Sequence, residues 1–68
     1  MKAEGRFLVY CLEIYKKEKN LTGKQVLELF KRYGLMEYVQ TFYESLHTTG
    51  GQYTIEYLDE FIAKRQTA

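Results

Sequence analysis

Apolar positions along this 68-residue chain recur at three- and four-residue intervals, the period of helices that each turn one face to a core. In the first stretch Phe7, Leu8, Cys11, Leu12, Ile14 and Tyr15 share one broad sector, wider than the ~100° stripe of an ordinary surface helix. This spacing predicts a helix over residues 4–19 that lies across the others and touches more than one of them. Lys16, Lys17 and Lys19 gather in its last turn, where cations suit the negative end of the helix dipole, and Asn20 is suited to a left-handed ending.

A second helix is predicted over 23–33 by its punctuation. Thr22-Gly23-Lys24-Gln25 has the form of a capping box, and Leu21 and Val26 occupy the two positions of a hydrophobic staple. Val26, Leu27, Leu29, Phe30 and Tyr33 form the expected apolar face. Gly34 is the expected stop, with Phe30 and Leu35 placed for the contact that accompanies a Schellman ending. A third helix is expected over 36–47, where Leu35, Val39, Phe42 and Leu46 make a core stripe flanked on opposite margins by Tyr38 and Tyr43. Thr48-Thr49-Gly50-Gly51 should end it, with a positive φ at Gly50 or Gly51. Thr54 is the expected N-cap of a fourth helix over 55–65, stapled by Tyr53 and Leu58 and buried through Ile55, Leu58, Phe61 and Ile62. The expected fold is all-α: one domain over 1–68, a compact bundle of about four short helices joined by short connections.

Composition fits a folded chain, with 46% hydrophobic and 28% charged residues and no proline. A chain this short has a thin stability margin and usually leans on disulfides, a metal, regular packing or self-association. Cys11 is the only cysteine and His47 the only histidine, so an internal disulfide and a zinc-ligand cluster are excluded and no cofactor is expected. No apolar run approaches the ~20 residues that span a bilayer, and a lone cysteine on an apolar stripe suits a reducing compartment. A cytoplasmic location with no membrane contact is the expectation.

The net charge of +1 conceals two regions of opposite sign. Residues 16–32 hold six basic groups (Lys16, Lys17, Lys19, Lys24, Lys31, Arg32) against Glu18 and Glu28, whereas residues 33–63 hold five acids and no Lys or Arg. The two regions either face one another within the fold or present a patch to a partner of opposite sign. Nucleic acid is a poor candidate for that partner. The helix that would read DNA after the Gly34 turn carries Glu37 and Glu44 and no basic residue. The basic 16–32 stretch leaves weak DNA binding as a third reading.

Candidate chemistry is sparse. Cys11 sits mid-helix among apolar neighbours, where cysteine acts as a small hydrophobe and not as a nucleophile. His47, followed by Thr48, Thr49 and Gly50, is the one candidate functional loop; it could supply a general base or anion contact, or simply satisfy helix-end carbonyls or pair with Glu44. With one histidine and no fixed second acid, no catalytic set can be assembled, and a small ligand-binding or catalytic domain centred on His47 remains the alternative reading. The seven tyrosines exceed what so small a core encloses, and tyrosine favours interfaces. Val9, Tyr10, Tyr38, Tyr43 and Tyr57 are therefore the candidate interface, for a protein partner, a homodimer or both.

Three stretches carry a resemblance: Phe7 to Lys16 (FLVYCLEIYK), Leu21 to Phe30 (LTGKQVLELF) and Leu46-His47-Thr48-Thr49-Gly50. Across residues 6–65 the chain resembles the bacterial domain-of-unknown-function family 3791, with Leu-His-Thr-x-Gly as its most specific element. The resemblance implies a short helical protein without an assigned activity. It further implies an accessory or antitoxin-like role, because some relatives are encoded beside a protein that looks like an ADP-ribosyltransferase. The leading expectation is a non-enzymatic helical interaction module.

Overall fold

The computed structural model describes residues 3–67, so the outermost positions of the expected 1–68 domain lie outside the described residues. Five helices follow one another: α1 (Ala3–Lys19), α2 (Gly23–Tyr33), α3 (Leu35–Thr41), α4 (Tyr43–Leu46) and α5 (Gly51–Thr67). Among the described residues there is no strand, and none of these helices is long and apolar enough to cross a membrane.

Helix α1 is the common support of the bundle and packs on α2, α3 and α5, as its broad apolar sector implies. Cys11 and Tyr15 are its buried residues. They meet Val26 and Phe30 of α2, Leu35 and Val39 of α3, and Ile55, Leu58 and Ile62 of α5 in one core, with Phe7, Leu8, Leu12 and Ile14 packed around it. Leu27, assigned to the apolar face of α2, is exposed. Its neighbours Val26 and Phe30 already face α1 and α3, and the narrower stripe of this amphipathic helix leaves Leu27 on its margin.

The boundaries of α1 and α2 follow the local signals closely. Asn20 adopts φ 55°, the Asn20 amide donates to the Lys17 carbonyl and the Leu21 amide donates to the Lys16 carbonyl. That pair of bonds is a Schellman motif, which closes α1 and delivers Leu21 to the core. The capping box at Thr22 is complete: the Gln25 amide donates to Thr22 Oγ1 at 3.1 Å, and the Thr22 amide donates to Gln25 Oε1 at 2.9 Å. Gly34 turns the chain at φ 70° and donates its amide to the Phe30 carbonyl.

Downstream the expected elements are corrected. The helix expected over 36–47 is two helices, broken at Phe42 with φ −104° and ψ 24°. The break falls in Thr41-Phe42-Tyr43, where a β-branched residue and two aromatics lose side-chain freedom against a preceding turn. The Phe42 carbonyl starts α4 by accepting from the amides of Ser45 and Leu46. Rotation at the break returns Leu46 to the interior and turns Phe42, expected in the core, outward to 49% exposure.

The last helix starts at Gly51, four residues before the expected 55. Neither Gly50 nor Gly51 has a positive φ; Gly34 is the glycine that does. Thr54 is not an N-cap but lies inside α5, fully buried, with its amide 3.0 Å and its hydroxyl 3.2 Å from the Gly50 carbonyl. Tyr53 makes no staple with Leu58: it is 62% exposed while Leu58 is buried. A glycine pair that reads as a stop is here a start, with Gly51 opening α5 beside α1. A Cβ on Gly51 would stand 2.9 Å from Tyr10 Oη.

Candidate functional site

The loop after α4 is built around helix-end carbonyls. His47 donates from Nδ1 to the Tyr43 carbonyl at 2.8 Å, since a carbonyl can only accept, and its imidazole stacks on the Tyr43 ring at 4.4 Å and 8°. Thr48 Oγ1 donates to the Ser45 carbonyl at 3.1 Å, and Thr49 Oγ1 donates to the Leu46 carbonyl at 2.8 Å. The Thr49 and Thr54 hydroxyl oxygens are 3.1 Å apart, which ties this ending to the start of α5. Thr48 thus takes up the Ser45 carbonyl, while His47 and Thr49 add side-chain donors to the Tyr43 and Leu46 carbonyls, which also accept from the His47 and Thr49 amides. Of the two structural roles open to His47, the helix-end carbonyl is the one taken, and no ion pair joins it to Glu44.

The candidate interface residues fall into two groups. Val9 and Tyr10, each 46% exposed, belong to α1; Tyr10 stacks on Phe7 at 5.9 Å, and Phe7 meets Tyr43 edge-on at 5.5 Å. Tyr43 therefore joins the α1 aromatics and the His47 ring. Tyr38 and Tyr57 lie elsewhere, across the seam between α3 and α5. Tyr38 stacks on Phe61 at 4.2 Å and leans on Phe42 at 5.2 Å. A groove of about 310 Å³ is lined by Tyr38, Phe42, Ser45, Leu46, Thr49 and Tyr57. Burial, with Glu60 and Tyr57 nearby, pushes the Tyr38 phenol above its ordinary pKa. Phe61, expected on the buried face of α5, is partly buried and packed against the core, whereas Phe42 owes its place here to the α3–α4 break, which local periodicity does not reveal.

A third constellation has no counterpart in the sequence reading. Tyr15 donates its hydroxyl to Asp59 Oδ1 at 2.5 Å, and Lys19 Nζ lies 2.8 Å from Asp59 Oδ2 and 5.6 Å from the centre of the Tyr15 ring. The signal was present. Asp59 stands at i+4 from Ile55 and i−3 from Ile62, a charge written into the apolar stripe of α5. Lys19–Asp59 is also where the basic and acidic regions touch; Lys16 turns instead to Glu13 at 3.4 Å. Cys11 is fully buried, and desolvation pushes its thiol up to about 12, far from thiolate chemistry at neutral pH. Among the described residues no group of three or more His, Cys, Asp or Glu side chains is placed to hold a metal ion.

These features define a small all-helical bundle with a clasped loop, an aromatic groove and one buried-to-surface polar link. The chain belongs to the family described as Protein of unknown function (DUF3791), whose model matches residues 6–65. No match is found among curated proteins or among solved structures.

Proposed function

We propose that this protein is a non-enzymatic interaction module that docks a protein partner on the aromatic groove between α3 and α5. The observation that carries the reading is Phe42: a backbone break turns a core-type side chain outward, 49% exposed, beside Tyr38 and Tyr57. Aromatic side chains clustered in a shallow groove are the composition of interface hot spots. The family resemblance supports an accessory or antitoxin-like partner encoded by a neighbouring gene, and the buried lone Cys11 suits the bacterial cytoplasm. The reading centred on His47 has less support, because the polar side chains of that loop already serve the ends of α4 and α5. DNA binding through residues 16–32 also has less support, since Lys16 and Lys19 are engaged by carboxylates.

The test is direct complex formation with the product of the adjacent gene, using purified proteins. Wild-type protein should bind, and Phe42→Ala and Tyr57→Ala should each weaken binding by at least about tenfold while circular dichroism stays helical. Equal binding by Phe42→Ala, or absence of any complex with the neighbour-encoded protein or with itself, overturns the reading.

A further inference from the structure

The chain breaks at Phe42 without the residues that usually break a helix. No proline or glycine occurs between Leu35 and Leu46, and Phe42 alone leaves helical geometry there. The regular ladder stops where the Phe42 amide donates to the Tyr38 carbonyl at 3.0 Å. It resumes where the Leu46 amide donates to the Phe42 carbonyl at 2.9 Å. Between them the Ser45 amide donates to the Phe42 carbonyl at 3.1 Å, in place of the bond that a continuous helix would make to Thr41. A tightened turn of this kind inside a helical run often marks a hinge. The apolar spacing of Leu35, Val39, Phe42 and Leu46 is, by contrast, that of one unbroken helix. Local preference and tertiary structure therefore disagree at a single residue.

What holds the break is slight. Helix α4 is one turn long and packs chiefly on α3, with Tyr43 edge-on to Phe7 of α1. Leu46, its buried side chain, lies outside the main core cluster. An element with so little buried contact is one that opens locally. The hinge also runs through the aromatic groove: Tyr38 stands before it, Ser45, Leu46 and Thr49 after it, and Tyr57 faces them from α5. Taking ψ of Phe42 from 24° to the helical value of about −42° reorients α4 and displaces these walls from one another. We propose that residues 35–46 are a two-state gate. The broken form builds the groove, and a minor form, one continuous helix, dismantles it. The proposal rests on the reading of this groove as the docking surface and adds its regulation, because a partner that fits the groove captures the broken form.

Chemical-exchange NMR of the full chain tests the gate, since hinge motions of this kind fall in the microsecond-to-millisecond range. Residues 41–46 of the wild type should report a minor form whose Cα shift at Phe42 is helical. Thr41→Ala, which replaces a β-branched residue by the best helix former, should raise its population about twofold. Glu44→Pro should abolish it. Position 44 lies in the first turn of α4, where proline is tolerated, but in the interior of a continuous helix, where it is not. Adding the neighbour-encoded protein to the wild type should deplete the minor form. Flat profiles over 41–46, or a minor form that is not helical at Phe42, overturn the proposal. So does a population that Glu44→Pro leaves intact or Thr41→Ala lowers. Should Glu44→Pro not fold, the wild-type shifts and the Thr41→Ala population decide. A helical minor form in the isolated chain, with no complex formed by the neighbour-encoded protein, supports the gate and overturns only the docking reading.

Discussion

Tyr15 and Asp59, 44 positions apart, are joined by a 2.5 Å hydrogen bond that fastens the end of α1 to the middle of α5. The phenol ring is 4% exposed and lies edge-on against Phe30 at 5.9 Å, so the bond reaches from the core to the surface, where Lys19 closes it. A buried donor whose partner is removed costs more than a pair removed together. Asp59→Ala should therefore destabilise by about 1.5–2.5 kcal/mol, Tyr15→Phe by about 1 kcal/mol, and Lys19→Ala, an exposed ion pair, by less than about 0.5 kcal/mol. Urea denaturation measures all three. Equal losses for Lys19→Ala and Asp59→Ala would mean that the ion pair, not the phenol, is what Asp59 serves.

The same core predicts a loss of stability in alkali. The Cys11 thiol is raised from 9.0 to about 12 by desolvation, and the Tyr15 phenol is raised from 10.0 by burial first and then by Asp59. Both groups are held in their neutral form when folded. The stability they contribute is complete below the unfolded-state values and falls as pH rises through the folded ones. Between pH 9 and 10 the folded thiol keeps a proton that the unfolded thiol releases, giving a slope that approaches about −1.4 kcal/mol per pH unit as the unfolded thiol ionises. Above pH 10 Tyr15 adds to it. Chemical denaturation from pH 7 to 11 should show a plateau followed by this decline, and Cys11→Ala, less stable at pH 7, should have a flatter profile from 9 to 10. A wild-type profile level to pH 11 would contradict the burial of both groups.

What could be read along the chain was what neighbours decide. Thr22 and Gln25 reach each other within one turn, Asn20 and Gly34 solve their turns alone, and the buried stripe Val26–Phe30 needs only helical period. The failures share a non-local cause. Phe42 looks like a core residue because its spacing to Val39 and Leu46 assumes an unbroken helix. The break turns that stripe at one residue, and the five candidate interface residues divide between two surfaces, with Tyr38 before the break and Tyr43 after it. Thr54 looks like a cap because a glycine pair precedes it, yet α5 already begins at Gly51 and Thr54 is buried inside it, bonded back to the Gly50 carbonyl. Asp59 was visible as a charge in an apolar stripe, but its meaning depends on Tyr15, a whole bundle width away. For the loop at 46–50, residue types indicated a clasp or a site, and the hydrogen bonds account for His47, Thr48 and Thr49 as a clasp.

Two glycines should respond differently to alanine. Gly34 sits at φ 70° with open space where a Cβ would go, so Gly34→Ala meets backbone strain alone and should cost about 1 kcal/mol, with Gly34→Asn cheaper. Gly51 has no positive φ, and its added Cβ meets the tip of the half-exposed Tyr10 side chain at 2.9 Å. Alanine favours the helix while the phenol tip must move, so Gly51→Ala should be neutral within about 0.5 kcal/mol. In a Tyr10→Phe background the contact disappears, and Gly51→Ala should become stabilising by about 0.5 kcal/mol. A four-variant thermal denaturation cycle checks the sign. Additive effects would show that Tyr10 does not rest on Gly51.

The clasp after α4 makes a graded prediction that separates structure from chemistry at His47. Thr54 is fully buried and its hydroxyl lies within 3.2 Å of both the Gly50 carbonyl and the Thr49 hydroxyl. Thr54→Val preserves shape but leaves that polar pocket without its central group, and should cost about 1–2 kcal/mol. Thr49→Val loses the 2.8 Å bond to Leu46 and should cost about 1 kcal/mol. His47 is exposed and gives up one hydrogen bond and one ring contact, so His47→Ala should cost about 0.5–1 kcal/mol. Amide hydrogen exchange should show the losses concentrated at the end of α4 and the first turn of α5, with partner binding through Phe42 unchanged in His47→Ala and Thr54→Val. If His47→Ala left stability and exchange untouched yet abolished partner binding, the loop would be a contact surface and the clasp only its scaffold.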